Sequence, residues 1–256
     1  MLTIFLLFII IGVSVIFYMF RRAHHDVLDI RTIKDPHFPV EQGLTIFFIS
    51  DVHRRLIQQN TLIQVKRKHI DLVLIGGDLW EQGVPLEQVE KNIISLKELR
   101  APIYFVWGNN DYEAKYQDLD ALLMKHRVHA LTNDLVQFEM ENKRISLVGL
   151  DCLKYRSAQP NEPYSRIGDY VILAAHDPSA FDILSDQQKS KTNVMFSGHT
   201  HGGQIRLFGW GLYPKGGLRK KGNTYMFVSE GYGTTNLPLR LGTNAECHVF
   251  HLQKEK

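Results

Sequence analysis

Cysteine is scarce in this sequence, and the scarcity excludes several classes of protein. Cys152 and Cys247 are the only cysteines among 256 residues, and no C-x-x-C pair occurs. A disulfide-stabilised scaffold or a cysteine-based zinc domain needs more cysteines at closer spacing. Nothing in the sequence therefore requires an oxidising compartment.

The sequence also lacks a large excess of charge of one sign. A formal net charge of +3 is too mild to indicate a nucleic-acid surface, and the basic runs at 66–68 and 219–221 are interpreted as solvated faces. No nucleic-acid-binding module is predicted. A content of 44% hydrophobic and 22% charged residues is typical of one folded domain.

Charge is absent altogether from the apolar run Leu2–Phe20. As a helix this run is ~28 Å long, about the thickness of a bilayer core. It lacks the basic start and small-residue cleavage site of a secretory signal peptide. We predict a transmembrane anchor at residues 1–22, and a buried core helix is the alternative.

The flanks of this run predict its orientation. No Lys or Arg precedes it, whereas Arg21, Arg22, Arg31 and Lys34 follow it. The positive-inside rule then predicts a single-pass protein of the cell membrane with the rest of the chain in the cytoplasm. Residues 23–42, which include "KDPHFPVEQG", are predicted to be a juxtamembrane connection, and residues 43–256 the folded domain.

The first half of that domain alternates between two patterns. Short apolar runs predict strands and helical spacing predicts helices between them, which is typical of βαβ units with parallel strands. The predicted strands are 44–50, 71–77 and 102–108, and the predicted helices are 54–68, 86–99 and 116–126. Later the strands dominate, at 135–140, 144–150, 170–175, 193–197, 204–208, 225–229 and 247–252, with one helix at 179–185. The fold class is α/β with more antiparallel pairing late in the chain.

The segment "GHTHGG" places His199 and His201 one residue apart among glycines. In an extended segment, residues i and i+2 point the same way, so both rings would face one spot. Taken alone, the pattern also fits a hairpin with surface histidines. The other strand ends decide between these interpretations.

Polar residues follow five predicted strands in turn, in the blocks "SDVH", "GGD", "GNND", "AAHD" and "GHTH". Each block alone could be a helix cap or an ordinary turn. In α/β sheets, however, ligands bind beyond the carboxyl ends of the strands, so the blocks can converge on one crevice. Their carboxylate, amide and imidazole groups suit borderline cations such as Mn, Fe, Zn or Co. Seven candidate ligands exceed the needs of one ion, and two ions ~3.5–4 Å apart would share a carboxylate.

The order of these blocks resembles that of the calcineurin-like metallophosphoesterases, with D-x-H, G-D, G-N-H-D, a single His and G-H-x-H, from about residue 44 to 252. The resemblance implies a four-layer α/β/β/α sandwich with two mixed sheets and two divalent metal ions. It also implies that a metal-bridging hydroxide attacks a phosphodiester or pyrophosphate. One ion would bind Asp51, His53, Asp78 and His201, and the other would bind Asp78, Asn109, His176 and His199.

The C-terminal segment carries a second resemblance. "HTHGGQIRL" and "LPLRLGTNAECHVFHL" are similar to a membrane-anchored branch of the family that includes UDP-diacylglucosamine pyrophosphatases. This implies a phosphorylated substrate, lipid-linked or nucleotide, and the membrane bilayer as partner. Arg240 lies in the match and is a candidate for phosphate binding, with a surface ion pair as the alternative.

One block departs from the family pattern. Asn110 stands where the family has the His that orients phosphate and protonates the leaving group, and Asn cannot supply that proton. Asn110, Asp111 and Arg240 are the candidate catalytic residues. Asn110 keeps one alternative open, a membrane-tethered metal-binding regulator with little hydrolytic activity. A metal-dependent phosphomonoesterase is the other alternative.

The loop "RLFGWGLYPKGGLRKKG" mixes aromatic, glycine and basic residues. It fits a lid, or a wedge that touches the membrane through Trp210. An ordinary long hairpin fits it as well.

Overall fold

The computed structural model describes residues 1–255, which form two six-stranded sheets with helices outside them. The helices are α1 (Leu2–His24), α2 (Gln59–Lys66), α3 (Leu86–Lys97), α4 (Asn109–Glu113), α5 (Tyr116–Lys125), α6 (Asn161–Tyr164) and α7 (Asp186–Lys191). The strands are β1 (Asp26–Asp35), β2 (Leu44–Ile49), β3 (Leu72–Ile75), β4 (Ile103–Phe105), β5 (His129–Ala130), β6 (Asp134–Met140), β7 (Lys143–Gly149), β8 (Tyr170–Ala174), β9 (Val194–Ser197), β10 (Gly217–Lys221), β11 (Thr224–Val228) and β12 (Ala245–Lys254).

Strand β2 shows why the sheets stack in layers. Its residues are apolar on both faces, and successive side chains point to opposite sides. Phe47 packs into the core under α2, α3 and α5, whereas Ile46 and Phe48 pack into the core between the two sheets. A third core, which includes Phe181, covers the outer face of the second sheet. The predicted four-layer α/β/β/α arrangement is confirmed.

Both sheets are mixed, as predicted. The first has the order β1-β12-β2-β3-β4-β5, with β2 to β5 parallel and β12 antiparallel to β2. The second has the order β10-β11-β9-β8-β7-β6, with a parallel centre and antiparallel edges. The carboxyl ends of β2, β3, β4, β8 and β9 therefore lie at one edge, and the five polar blocks follow them.

The predicted juxtamembrane connection is wrong over residues 26–35. These residues form β1, which pairs with β12 in parallel register from Asp26↔Ala245 to Asp35↔Lys254. The folded domain therefore starts before residue 43, immediately after α1. Sequence spacing could not show this, because the partner strand lies at the other end of the chain.

Three other predicted elements differ. Residues 204–208 form no strand and make only isolated bridges, Ile205 to Leu241 and Leu207 to Trp210. The helix predicted at 179–185 is a 3₁₀ turn, Pro178–Phe181, followed by α7, which a Ser185 capping box begins. The helix predicted from residue 54 begins only at Gln59.

Helix α1 projects from the domain. It is the one helix among residues 1–255 that is long and apolar enough to cross a membrane, and 6% of its most apolar window is buried. A core helix would be mostly buried, so that alternative fails. Only Met19 and Ala23 are buried, near its C-terminal end, where the Arg22 guanidinium donates to Asn244 Oδ1.

Candidate metal centre

The strand-end residues gather into two groups at the shared sheet edge. Asp51, His53 and His201 form one group, and Asp78, His176 and His199 form the other. Within each group the potential ligand atoms all lie within 4.8 Å of one another. All except the partly buried His199 are buried. Loops from both sheets supply each group, so the sandwich must be assembled before either exists.

The distances place Asp78 between the groups. Its Oδ2 lies 3.2 Å from His176 Nε2 in its own group and 3.8 Å from His53 Nε2 in the other. His201 Nε2 lies 3.2 Å from His53 Nε2, and His199 Nδ1 lies 3.1 Å from His176 Nε2. This is the position that a carboxylate shared by two ions would need.

The backbone at these residues is unusual. Asp51 (φ 54°), His53 (φ 52°), Asp78 (φ 52°), His199 (φ 70°) and His201 (φ 49°) all lie in the left-handed region. Few non-glycine residues do so, and a cluster of them at one site indicates strain held for function. The extended geometry expected for His199 and His201 is wrong: the two rings belong to different groups because the chain turns sharply at both residues.

Two glycines allow the loops to approach this closely. A Cβ at Gly108 would lie 2.2 Å from Asp78 Oδ1, and one at Gly198 would lie 2.3 Å from Asp51 Oδ2. Any side chain at either position would displace a carboxylate of the site. These contacts explain the glycines of "GNND" and "GHTH".

Two imidazoles of the site are held in place by partners at Nδ1, the ring nitrogen that faces away from the site. His176 Nδ1 lies 2.8 Å from the carbonyl of Gly76, and His53 Nδ1 lies 3.3 Å from Glu81 Oε2. His176 Nδ1 donates to the Gly76 carbonyl, which leaves its Nε2 free to face the site, whereas Glu81 acts on His53 through its negative charge at this distance. The sequence interpretation missed Glu81, which follows the "GGD" block; its spacing from Asp78 was the only signal.

The buried ionisable groups shift one another's pKa. Burial opposes the charged form of His176, but the Asp78 carboxylate outweighs burial and raises the pKa of His176. Burial likewise opposes ionisation of Asp78, and His176 lowers the pKa of Asp78 in spite of it. Burial lowers the pKa of His201 to about 3, so this imidazole is neutral at pH 7 and can act as a ligand.

The residues present fit a metal centre. Asn109 Oδ1 is buried without a hydrogen-bond partner, although buried polar atoms are normally paired. Its amide oxygen adds to the carboxylate and imidazole donors, which gives an O/N set suited to borderline divalent cations. The next residue, Asn110, donates from its backbone N (2.8 Å) and its Nδ2 (2.7 Å) to the Asp78 carboxylate.

The structure gives Asp111 a supporting position instead of the predicted catalytic one. Its carboxylate is fully buried and accepts from the backbone N of Asp78 (2.7 Å), Trp80 (2.8 Å) and Gly108 (2.8 Å). Burial and the neighbouring Asp78 raise the pKa of Asp111. Asp111 thus ties two of the polar loops together.

Arg240 also lies elsewhere than predicted. It is 0% exposed, and its Nη2 donates to the carbonyls of Glu230 (2.6 Å), Gly231 (2.9 Å) and Gly233 (2.6 Å). Arg240 is fully buried and does not line the cavity described below, so it is not placed to bind a phosphate there, and it is not a surface ion pair either. Arg240 positions the segment 230–233, whose Gly231 packs against Asp51.

A cavity of ≈ 510 Å³ opens beside the two groups. Asp78, Asn109 and the two "GHTH" histidines line it, and Lys154 contributes a cation. Its remaining wall is partly apolar and includes Ile205, Leu212, Tyr213 and Leu237. The cavity can therefore hold a phosphorylated molecule that also carries an apolar part.

Replacement of Glu81 by Gln tests the support behind His53. Gln keeps the shape but loses the charge that favours a donating Nδ1, and loss of such a partner typically costs 10–100-fold in metal affinity or activity. We expect a decrease of about that size in divalent-metal affinity, measured by competition with a fluorescent chelator. Glu98→Gln, which alters a surface pair with Lys66, is the matched control. Equal affinities of the two variants would contradict the assignment.

Similarity to known proteins agrees with this geometry. Residues 44–203 match the calcineurin-like phosphoesterase family. The uncharacterized protein YpbG of Bacillus subtilis is 40% identical over 211 residues, covering 82% of this chain and 81% of YpbG. The phosphodiesterase YaeI of Escherichia coli is 26% identical, covering 81% of both chains. A transmembrane protein with metallophosphoesterase domain from Danio rerio is 27% identical, covering 84% of this chain and 55% of that protein. The chain therefore belongs to the calcineurin-like phosphoesterase family and is a metal-dependent phosphoesterase.

Proposed function

We propose that the protein is a membrane-anchored hydrolase of phosphodiesters or pyrophosphates that holds two divalent ions. The position of Asp78 between the two ligand groups carries the proposal. One ion would use Asp51, His53, Asp78 and His201, and the other Asp78, Asn109, His176 and His199. Bound ions would supply a hydroxide nucleophile at neutral pH and neutralise charge that develops on phosphate oxygens.

The chain's own residues prepare this site. Gly76 and Glu81 orient His176 and His53, while Asp111 holds the backbone of the Asp78 and Gly108 loops. This pre-organisation costs nothing at the moment of reaction, because the donors are already aligned. A phosphodiester substrate agrees with the name of the relative YaeI.

Membrane anchoring is supported by α1 and by relatives described as transmembrane proteins. The docked end of α1 argues against cleavage, because loss of the helix would also remove the contacts at Met19 and Arg22. We propose a single-pass anchor with the domain in the cytoplasm, as the basic flank predicts. A cytoplasm-specific reporter fused to the C-terminus should be active, and an inactive but expressed fusion would contradict the orientation.

A substrate panel tests the activity. The full-length protein in detergent would be assayed for bound metal and for hydrolysis of an aryl phosphodiester, an aryl monoester and a nucleotide-linked lipid pyrophosphate. We expect the diester or the pyrophosphate to be preferred. Bound metal without turnover would instead identify a regulator, and a preference for the monoester would identify a phosphomonoesterase.

Asn110→Ala and Asn110→His test the substrate preference. Asn110 cannot protonate a leaving group, and a general acid contributes about 10²–10⁴-fold, least where the leaving group is already a weak base. We expect Asn110→His to raise turnover of an alkyl phosphodiester by about tenfold or more and that of a pyrophosphate by much less. Asn110→Ala, which removes the side-chain hydrogen bond to Asp78 without adding an acid, is the control. Equal gains on both substrates would refute the idea.

A further inference from the structure

The short turn Leu207–Trp210 exposes more apolar surface than a soluble domain normally leaves uncovered. Phe208 is 102% exposed and Trp210 is 85% exposed, and Leu207 and Leu212 beside them are also exposed. Contiguous exposed apolar surface of this kind marks an interaction site. The question is which partner covers it.

The turn is rigid. Leu207 and Trp210 exchange both backbone hydrogen bonds, at 2.9 and 2.8 Å, and Phe208 and Gly209 at its tip have φ values of 49° and 87°. A left-handed Phe is strained, and the fully exposed side chain of Phe208 is not packed within the chain to compensate for that strain. The turn therefore presents its aromatic residues outward in a fixed geometry.

Several polar groups in and around the turn are already paired. Arg206 donates to the carbonyls of Gly202 (2.8 Å), Tyr213 (2.7 Å) and Gly209 (2.5 Å). Backbone groups that enter an apolar medium need such partners, because water is not there to supply them. The turn can thus leave water without exposing unpaired carbonyls at these three positions.

A short chain of contacts connects this turn to α1. Arg206 N donates to the Leu241 carbonyl at 2.8 Å, and the adjacent Arg240 N donates to the Met19 carbonyl of α1 at 3.1 Å. The last turn of α1 is held as well, since Gln58 Nε2 donates to the His24 carbonyl at 3.0 Å. The apolar turn and the base of α1 therefore belong to one rigid face of the domain.

The length of α1 determines how close that face lies to the bilayer. The helix before Met19 is ~26 Å long at 1.5 Å per residue, slightly less than a bilayer core of ~30 Å. No spacer follows, because β1 begins at Asp26. If α1 spans the membrane, the segment around Arg240 and Leu241 must lie at the interface.

We propose that the turn Leu207–Trp210 is a membrane wedge, with Phe208 and Trp210 inserted into the leaflet surface at the base of α1. Tryptophan prefers this interface, and the exposed Lys215, Arg219 and Lys220 that follow can meet anionic headgroups. Leu212 and Leu237 extend the apolar surface into the wall of the cavity. The cavity then opens at headgroup height, where it takes phosphorylated lipids directly from the leaflet. The wedge rests on membrane anchoring, and its role in turnover rests on the proposed hydrolase activity.

Tryptophan fluorescence tests the wedge without any catalysis. The sequence contains 3 tryptophans, and Trp80 (6% exposed) and Trp107 (4% exposed) are buried, so the emission difference between wild type and Trp210→Phe reports on Trp210. The full-length protein would be reconstituted in phosphatidylcholine vesicles with plain or bromine-labelled acyl chains. We expect bromine to quench most of the Trp210 emission and aqueous acrylamide to quench little of it.

The matched control moves the probe to another exposed apolar position. Met124→Trp in the Trp210→Phe background places the indole on α5, where Met124 is 71% exposed. Acrylamide should quench this indole and bromolipid should not. If Trp210 behaves as the Met124→Trp probe does, the turn faces solvent and the wedge is overturned. Quenching of Trp210 by neither agent would point to a covering protein partner and would overturn the wedge as well.

Turnover separates the wedge from the hydrolase proposal. Phe208→Ser combined with Trp210→Ser alters neither ligand group nor cavity wall, so hydrolysis of a water-soluble aryl phosphodiester should be unchanged. Hydrolysis of a vesicle-embedded phosphorylated lipid should fall roughly tenfold, because the cavity is no longer held toward the leaflet. A loss of activity on the lipid but not on the soluble substrate supports the wedge. If the variant and the wild type hydrolyse the lipid at equal rates, the role of the wedge in turnover is overturned. Wild-type inactivity on both substrates would contradict the hydrolase and leave the fluorescence result standing.

Discussion

Asp78→Asn is expected to abolish turnover of an aryl phosphodiester while the fold survives. Its carboxylate lies between the two ligand groups, 3.2 Å from His176 Nε2 and 3.8 Å from His53 Nε2, so neither proposed ion keeps a complete ligand set without it. Loss of several kcal/mol of charge stabilisation corresponds to a decrease of roughly a thousandfold or more.

Metal content should fall together with activity. Asn can bind one ion through its oxygen but cannot bridge two cations with a shared negative charge, so we expect the bound metal to drop from about two ions to one or fewer per chain. Elemental analysis of the purified variant measures this. Near-wild-type thermal stability of the metal-free variant would show that the loss is local.

The matched control is Asp182→Asn, which neutralises an exposed carboxylate paired with Lys221. It changes the net charge by the same amount, so both metal content and turnover should stay at wild-type levels. Full activity of Asp78→Asn with unchanged metal would refute the two-metal assignment.

The strand-end residues could be predicted because their signal is local. Each polar block follows an apolar run, and a strand of a sheet delivers whatever follows it to the sheet edge. The order of strands and helices predicted the α/β class, and the resemblance to the family implied the four-layer sandwich, which the cores on both faces of β2 illustrate. Neither inference needed a distant contact.

The parts that sequence reasoning missed depend on distant or backbone contacts. Strand β1 is recognisable only through its pairing with β12, which lies more than two hundred residues later. The left-handed turn at His199 depends on Asp51, whose carboxylate oxygens accept from His199 N at 3.1 and 3.3 Å. Glu81 matters only because His53 is folded against it.

Arg240 is a residue to which the sequence assigned a binding role that its contacts in the structure do not support. Its place within the family-like C-terminal segment suggested a phosphate ligand, yet the three carbonyls that it binds come from residues 230–233. A basic side chain in sequence gives no sign of whether its partner will be a ligand or the protein's own backbone. Substitution of Arg240 is therefore expected to affect stability, whereas the sequence alone predicted an effect on phosphate binding.

Arg240→Ala is expected to destabilise the protein strongly. The change leaves buried carbonyls of Glu230, Gly231 and Gly233 without this donor, and each unpaired buried group costs about 1–3 kcal/mol. It also removes the positive charge next to the buried Glu230 and Glu246. Breaking a buried charge arrangement of this kind costs about 3–5 kcal/mol, which denaturant unfolding followed by circular dichroism can measure.

Arg240→Lys and Arg219→Ala distinguish positioning from phosphate binding. Lys keeps the charge but lacks the planar fork, so its stability should lie between those of wild type and Arg240→Ala. Arg219 is exposed on β10, and its removal should leave stability unchanged. If Arg240 positions Gly231 against Asp51, Arg240→Lys should lower kcat and metal affinity with little change in KM. A large rise in KM at wild-type stability would instead show that the guanidinium binds the substrate phosphate.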